Sequence, residues 1–252
     1  MELFTIENSI VRKIWGKSDT VLFVFAGSAA EFALNKAVDW LYFTGKLPAD
    51  PIGRFFSTVG YARKIVFSSM ADANAAIDMM KKIHSTVEQN RGATIPEWAY
   101  RDVLFMLIHY SIASHELLEE KLTDEEKEEV YNVFYRMGTR MGLQELPATY
   151  QEWLPVRESH LMNDLQKSEF TNDLFKQYRK HLGALRYNLL IGVQQLIVPK
   201  KVKELLEWSN LPVSQPLIII YKITRLIKID RILKNLLLPS EYKEQINELD
   251  VY

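Results

Sequence analysis

The stretch that decides the fold is Thr123–Gly142, TDEEKEEVYNVFYRMGTRMG. Thr123 is a helix N-cap. Three acidic residues fill the first turn behind it, and Glu126 stands at the capping-box distance. Gly142 supplies the stop. Working outward, apolar positions recur three and four apart in segment after segment, while the 10 glycines and 9 prolines gather between them. The expected helices run over about 28–41, 54–67, 70–90, 98–118, 124–141, 150–165 and 173–182, then onward through Leu189, Val202 and the tail. Asp72 is a candidate cap for the helix carrying His84, and residues 46–53, with Pro48, Asp50, Pro51 and Gly53, form a loop feeding the next helix. Val21–Phe25 and Leu217–Ile220 have strand-like composition, but neither has an obvious pairing partner. The reading is an all-α, single globular multi-helix domain over residues 1–252, with no internal repeat and no low-complexity linker.

Composition narrows the chemistry. The 48% apolar and 25% charged residues are those of an ordinary globular protein, and a net charge of -1 gives no general reason to expect nucleic acid as a partner. With no cysteine in the chain, disulfides, iron–sulfur clusters, thiolate zinc sites and cysteine nucleophiles are excluded, so any metal must be held by histidine or oxygen ligands. The first residues carry no export pattern, and the chain is read as unexported and cytoplasmic. Glu31 interrupts the apolar run 20–34, which is too short for a span and reads as a buried helix. In Leu217–Leu238, Lys222, Arg225, Lys228, Arg231 and Lys234 rule out a simple span. Two readings of that segment stay open: attachment to an anionic lipid surface, or a C-terminal helical segment packed on the domain with its charges snorkelling.

Gly16, Lys17 and Ser18 do not make a phosphate-binding loop, because the opening glycine would fall on Val11. No serine sits in a nucleophile elbow either. The acidic run Glu116–Glu129 reads as a solvated turn and helix start. Of the five histidines, His84 lies in phase with Ile77, Met80 and Val87 on the apolar face of its helix. His109 shares a face with Phe105 and Ile112 or Ala113, whereas His115, His160 and His181 have charged neighbours and read as surface residues. A buried imidazole can be a ligand or a core residue satisfied by a carbonyl or carboxylate. Arg54 and Thr58, four apart, share a helical face, with Phe55 and Phe56 beside them; such a face suits an oxygen-containing ligand, or Arg54 pairs with a surface acid.

Read in order, these pieces resemble a known family. The segments Phe25–Leu34, Pro48–Thr58, Ile65–Phe67 and His84–Val87, then Leu107–His109, Arg140–Leu143, Leu146–Pro147 and Val198–Pro199, resemble the catalytic domain of MpaB-type oxygenases and latex-clearing proteins, the rubber oxygenases. The resemblance covers roughly residues 10–210 and leaves a tail of about 211–252. It implies an all-α fold enclosing haem b, with His84 as proximal iron ligand and metal site, Arg54 and Thr58 as the distal, catalytic pair, and His109 near the cofactor. It further implies a haem-dependent oxygenase acting with dioxygen on an apolar, unsaturated small substrate. Rubber-cleaving members carry a lysine where this chain has Ser57, which turns the expectation away from rubber. No glutamate stands at the spacing of their catalytic base; Glu31 is the nearest buried-looking carboxylate. The alternative is a non-catalytic helical haem- or lipid-binding protein, peripheral to a membrane through Leu217–Leu238.

Overall fold

The structure, a computed structural model, describes residues 2–45, 49–208, 221 and 250–251. Among the described residues there are ten helices and no strand, only isolated bridges such as Leu3 with Ser69 and Asn35 with Leu165. In chain order they are α1 Ile10–Trp15, α2 Ser18–Phe32, α3 Val38–Phe43, α4 Pro51–Phe67 and α5 Met70–Arg91. There follow α6 Glu97–Leu118, α7 Asp124–Met141, α8 Tyr150–Asn163, α9 Glu169–Ile197 and α10 Lys200–Leu205.

Helix α6 is the axis of the molecule. Leu104 to Ile108, Tyr110 and Ile112 are all buried, so it is apolar on almost every side and must be surrounded. Its principal neighbour is α2, which runs antiparallel to it, as Lys17 pairs with Glu119 at one end and Asn35 with Asp102 at the other. Packed on this pair or beside it are α7, α9, α1 and α8, while α4 and α5 form a hairpin whose second helix leans on α7.

Capping largely follows the sequence. Thr123 and Glu126 form a reciprocal capping box, and α7 ends on Gly142 with φ 93°, a left-handed conformation that only glycine adopts readily. The cap of α5 is Ser69, whose hydroxyl accepts from the Asp72 amide, so Asp72 is a first-turn residue and not the cap. Asp50 accepts from the Gly53 amide and Pro51 takes the first helical position, starting α4 three residues before the expected Arg54. Gly183, at φ 72° and ψ 169°, kinks α9 one residue past the expected end at Leu182.

Helix α2 bears out the buried helix read over 20–34, and the main departure is at its C-terminal end. Val21–Phe25 is helical, and the expected helix 28–41 is divided by residues 33–37. The strand-like run is buried, with Val21, Phe23, Val24 and Phe25 all in the core, so it shows no amphipathic period. The division falls at Asn35, whose Oδ1 accepts from the Ala37 amide and whose Nδ2 donates to Asp102. The first turn of α2 has no cap of its own from Lys17; instead the Ser18 amide donates to Asp250, and Val251 donates to the Gly16 carbonyl. Among the described residues, no helix is long and apolar enough to cross a membrane. The segment Leu217–Leu238 lies outside the described residues apart from Tyr221, whose hydroxyl bonds to Asp19.

Candidate active site

Two sets of polar residues meet inside this frame. The first lies on α4 and α5, adjacent helices of the hairpin. Arg54 and Thr58 are both half-buried on α4, and Arg54 has no carboxylate partner among the described residues. Burial pushes its pKa down, with Tyr61 opposing. The hydroxyls of Ser57 and Thr58 both donate to the Arg54 carbonyl, at 2.7 and 3.1 Å. Their protons are thereby committed, and each oxygen is left as an acceptor. Ser57 is exposed. The structure describes the backbone of Phe55 and Phe56 but not their side chains, so the packing expected of them lies outside what it describes.

On α5, His84 keeps the expected phase: Ile77 is buried, Met80 packs on the core, and His84 and Val87 are partly covered. Its ring stands edge-on to Tyr100 at 5.1 Å, and Tyr100 donates in turn to Glu88. The Nδ1 atom of His84 is buried without a hydrogen-bond partner. Burial lowers the imidazole pKa, and the charge of Arg54 lowers it further against the opposing pull of Glu88. The structure therefore sets Arg54 and His84 in one electrostatic neighbourhood.

The second set joins α2, α6 and α8. Gly27 lets Tyr110 lie against α2, since a Cβ there would stand 2.3 Å from the ring. One turn on, Glu31 accepts the Tyr110 hydroxyl at 2.8 Å and a two-pronged bond from Arg157 at 2.6 and 2.7 Å. Glu31 is 1% exposed and Arg157 4%. Burial opposes the Arg157 charge, yet Glu31 holds its pKa above the usual value. Burial and then Glu31 push the Tyr110 phenol well up. His109, next in the chain and edge-on to Tyr110 at 4.9 Å, is pushed down to about 4, first by burial and then by Arg157. Its imidazole is neutral at pH 7. The charges acting on His109 are Arg157 and Glu31, while those on His84 are Arg54 and Glu88, so the two histidines occupy different neighbourhoods.

Beside this network, Asn35 donates to Asp102 at 2.6 Å, Asp102 contacts His160 Nδ1, and the same nitrogen lies 3.2 Å from Asp164. His160 is therefore not the surface residue its neighbours suggested; its side chain is 12% exposed. The same correction applies to His115, which is buried with an unpartnered Nδ1 and a pKa lowered by burial. His181 is exposed, as expected. Carboxylates in the 116–129 run serve ion pairs and caps: Glu116 binds Lys121 and Lys127, Glu126 caps α7, and Glu129 accepts from Ser9. Glu31, the buried-looking carboxylate of the Phe25–Leu34 segment, proves to be the hub of a buried network. A signal for its partners was present: Trp153, Arg157 and Leu161 recur at four, so Arg157 falls on the core face of α8, and His160 and Asp164 are four apart.

A family model described as the ER-bound oxygenase mpaB/B'/rubber oxygenase catalytic domain matches residues 15–227. The chain belongs to this family. Neither a curated protein nor a solved structure gives a match. The mpaB/rubber oxygenase match spans both polar sets and every helix from α2 to α10, and it makes the chain an oxygenase-type catalytic domain.

Proposed function

We propose that the protein is a haem b-dependent oxygenase that acts with dioxygen on a small, apolar, unsaturated substrate, with His84 as the iron ligand and Arg54 and Thr58 on the substrate side. The observation that carries this reading is the buried, unpartnered Nδ1 of His84 in a ring held neutral by burial and Arg54. A buried polar atom left unsatisfied costs about 1–3 kcal/mol, and a neutral imidazole has a lone pair to give. Both features fit a metal-bearing group docking at this point. Haem, when bound, would supply the redox-active iron that activates dioxygen.

The remaining chemistry belongs to the chain. Arg54 contributes a positive charge with no carboxylate partner among the described residues, suited to orienting an oxygen-rich or anionic group. Thr58, its proton committed to the Arg54 carbonyl, offers an acceptor rather than a donor. Ser57 cannot act as an amine ligand, which directs the reading away from rubber cleavage. His109, in the Glu31–Arg157 neighbourhood, is a neutral group whose protonation is suppressed by burial and then by Arg157.

Haem titration of purified protein tests the assignment. Stoichiometric uptake with a Soret band in the wild type, and loss of that band in His84→Ala, is the expected result. An unchanged band in the variant would remove His84 as ligand and bring His109→Ala forward.

A further inference from the structure

The junction of α6 with the end of α8 holds a set of groups that the haem reading does not use. Asp102 on α6, His160 in the last turn of α8, and Asp164 at its C-cap each present one ligand atom, and the three atoms lie within 4.8 Å of one another. That spacing suits a single ion with metal–ligand bonds of about 2.0–2.4 Å. Asp102 is 2% exposed, and the Asp164 side chain 20%.

Two observations separate this set from an incidental ion pair. The first is charge. Two carboxylates converge on one imidazole nitrogen, which has at most one proton to share between them. The other cations that influence Asp164 are committed elsewhere: Lys36 Nζ donates to the Asn163 carbonyl, and Arg101 pairs with Glu145. The second is support. Asn35 holds the second oxygen of Asp102, and its own Oδ1 is fixed on the Ala37 amide. The backbone of this corner is sewn to the end of α8 by Lys36 N–H to the Asp164 carbonyl and Gln166 N–H to the Leu34 carbonyl. An anchored carboxylate of this kind is how metal ligands are oriented.

We propose that Asp102, His160 and Asp164 bind a divalent cation that accepts mixed nitrogen and oxygen ligands, of the manganese or zinc class, at a site separate from Arg54 and His84. With one imidazole and two carboxylates, a tetrahedral or octahedral ion keeps at least one position for water or an anionic ligand.

The test is Mn2+ titration of chelator-dialysed protein, followed by the electron paramagnetic resonance signal of the free ion, with Zn2+ as competitor. One Mn2+ per chain, displaced by Zn2+, and binding weakened by more than about tenfold in Asp164→Asn is the expected result. Asp164 is chosen because it is partly exposed at a helix end, and circular dichroism checks that the variant folds. His84→Ala should keep the Mn2+ site, so failure here and failure of the haem assignment are told apart. No uptake of either ion by the wild type, or equal affinity in Asp164→Asn, would overturn the proposal and leave His160 as the middle of an ion triad.

Discussion

Arg157 is a buried charge whose guanidinium has left water together with the Glu31 carboxylate. Such a pair is weak evidence for stability while intact, but removing one partner strands the other charge. Arg157→Met should therefore destabilise the fold by about 3–5 kcal/mol, and the double variant Arg157→Met with Glu31→Leu should recover part of that loss. Urea denaturation of the wild type, the two single variants and the double variant checks the cycle; additive losses would mean that the pair does not act as a unit. Glu31 and Arg157 are 126 residues apart, and nothing in either local pattern names the partner. What the sequence does expose is an arginine on the core face of α8. By contrast, Arg54, Thr58 and His84 were singled out by ordered motifs and helical phase, and the structure sets all three on a hairpin of neighbouring helices.

At the level of elements, local chemistry determined most boundaries. The Thr123–Glu126 box and Gly142 bracket α7 where the sequence puts them, because caps depend on residues three or four positions apart. Thr123→Ala should cost about 1 kcal/mol, read as a lowered denaturation midpoint with an unchanged slope. If the midpoint stays fixed, the N-terminus of α7 is secured by its packing alone. Helix α2 was legible as a buried helix over 20–34, but its end was not, for the opposite reason. It is buried on nearly all sides, so its apolar pattern has no helical period, and its end is set by the distant bond from Asn35 to Asp102. The surface readings of His115 and His160 failed in the same way, since flanking charges describe the chain neighbours and not the helix packed across them.

For the whole molecule, pH is the most informative variable. His109, His84 and His115 all have pKa values lowered by burial, His109 to about 4. The unfolded chain, with histidines near 6.5, then binds more protons than the folded one between those limits. Stability is full above about pH 6.5 and falls as pH drops toward 4, by at most about 3 kcal/mol from His109 alone. Asp164, whose pKa is raised by burial and the Asp102 charge, pulls the other way. Thermal melts from pH 7.5 to 4.5 should show this decline, flattened in His109→Gln; a flat wild-type profile would mean that His109 is already charged in the fold.

The central claim is that a neutral His84 on α5 holds the iron of a bound haem in this mpaB/rubber oxygenase-family domain. Its most direct test is the visible spectrum of haem-supplied protein before and after dithionite, for wild type and His84→Ala side by side. The account predicts a Soret band that shifts on reduction in the wild type and is lost in the variant. Wild-type protein that remains without a Soret band, or a variant with the same oxidised and reduced spectra as the wild type, would contradict it.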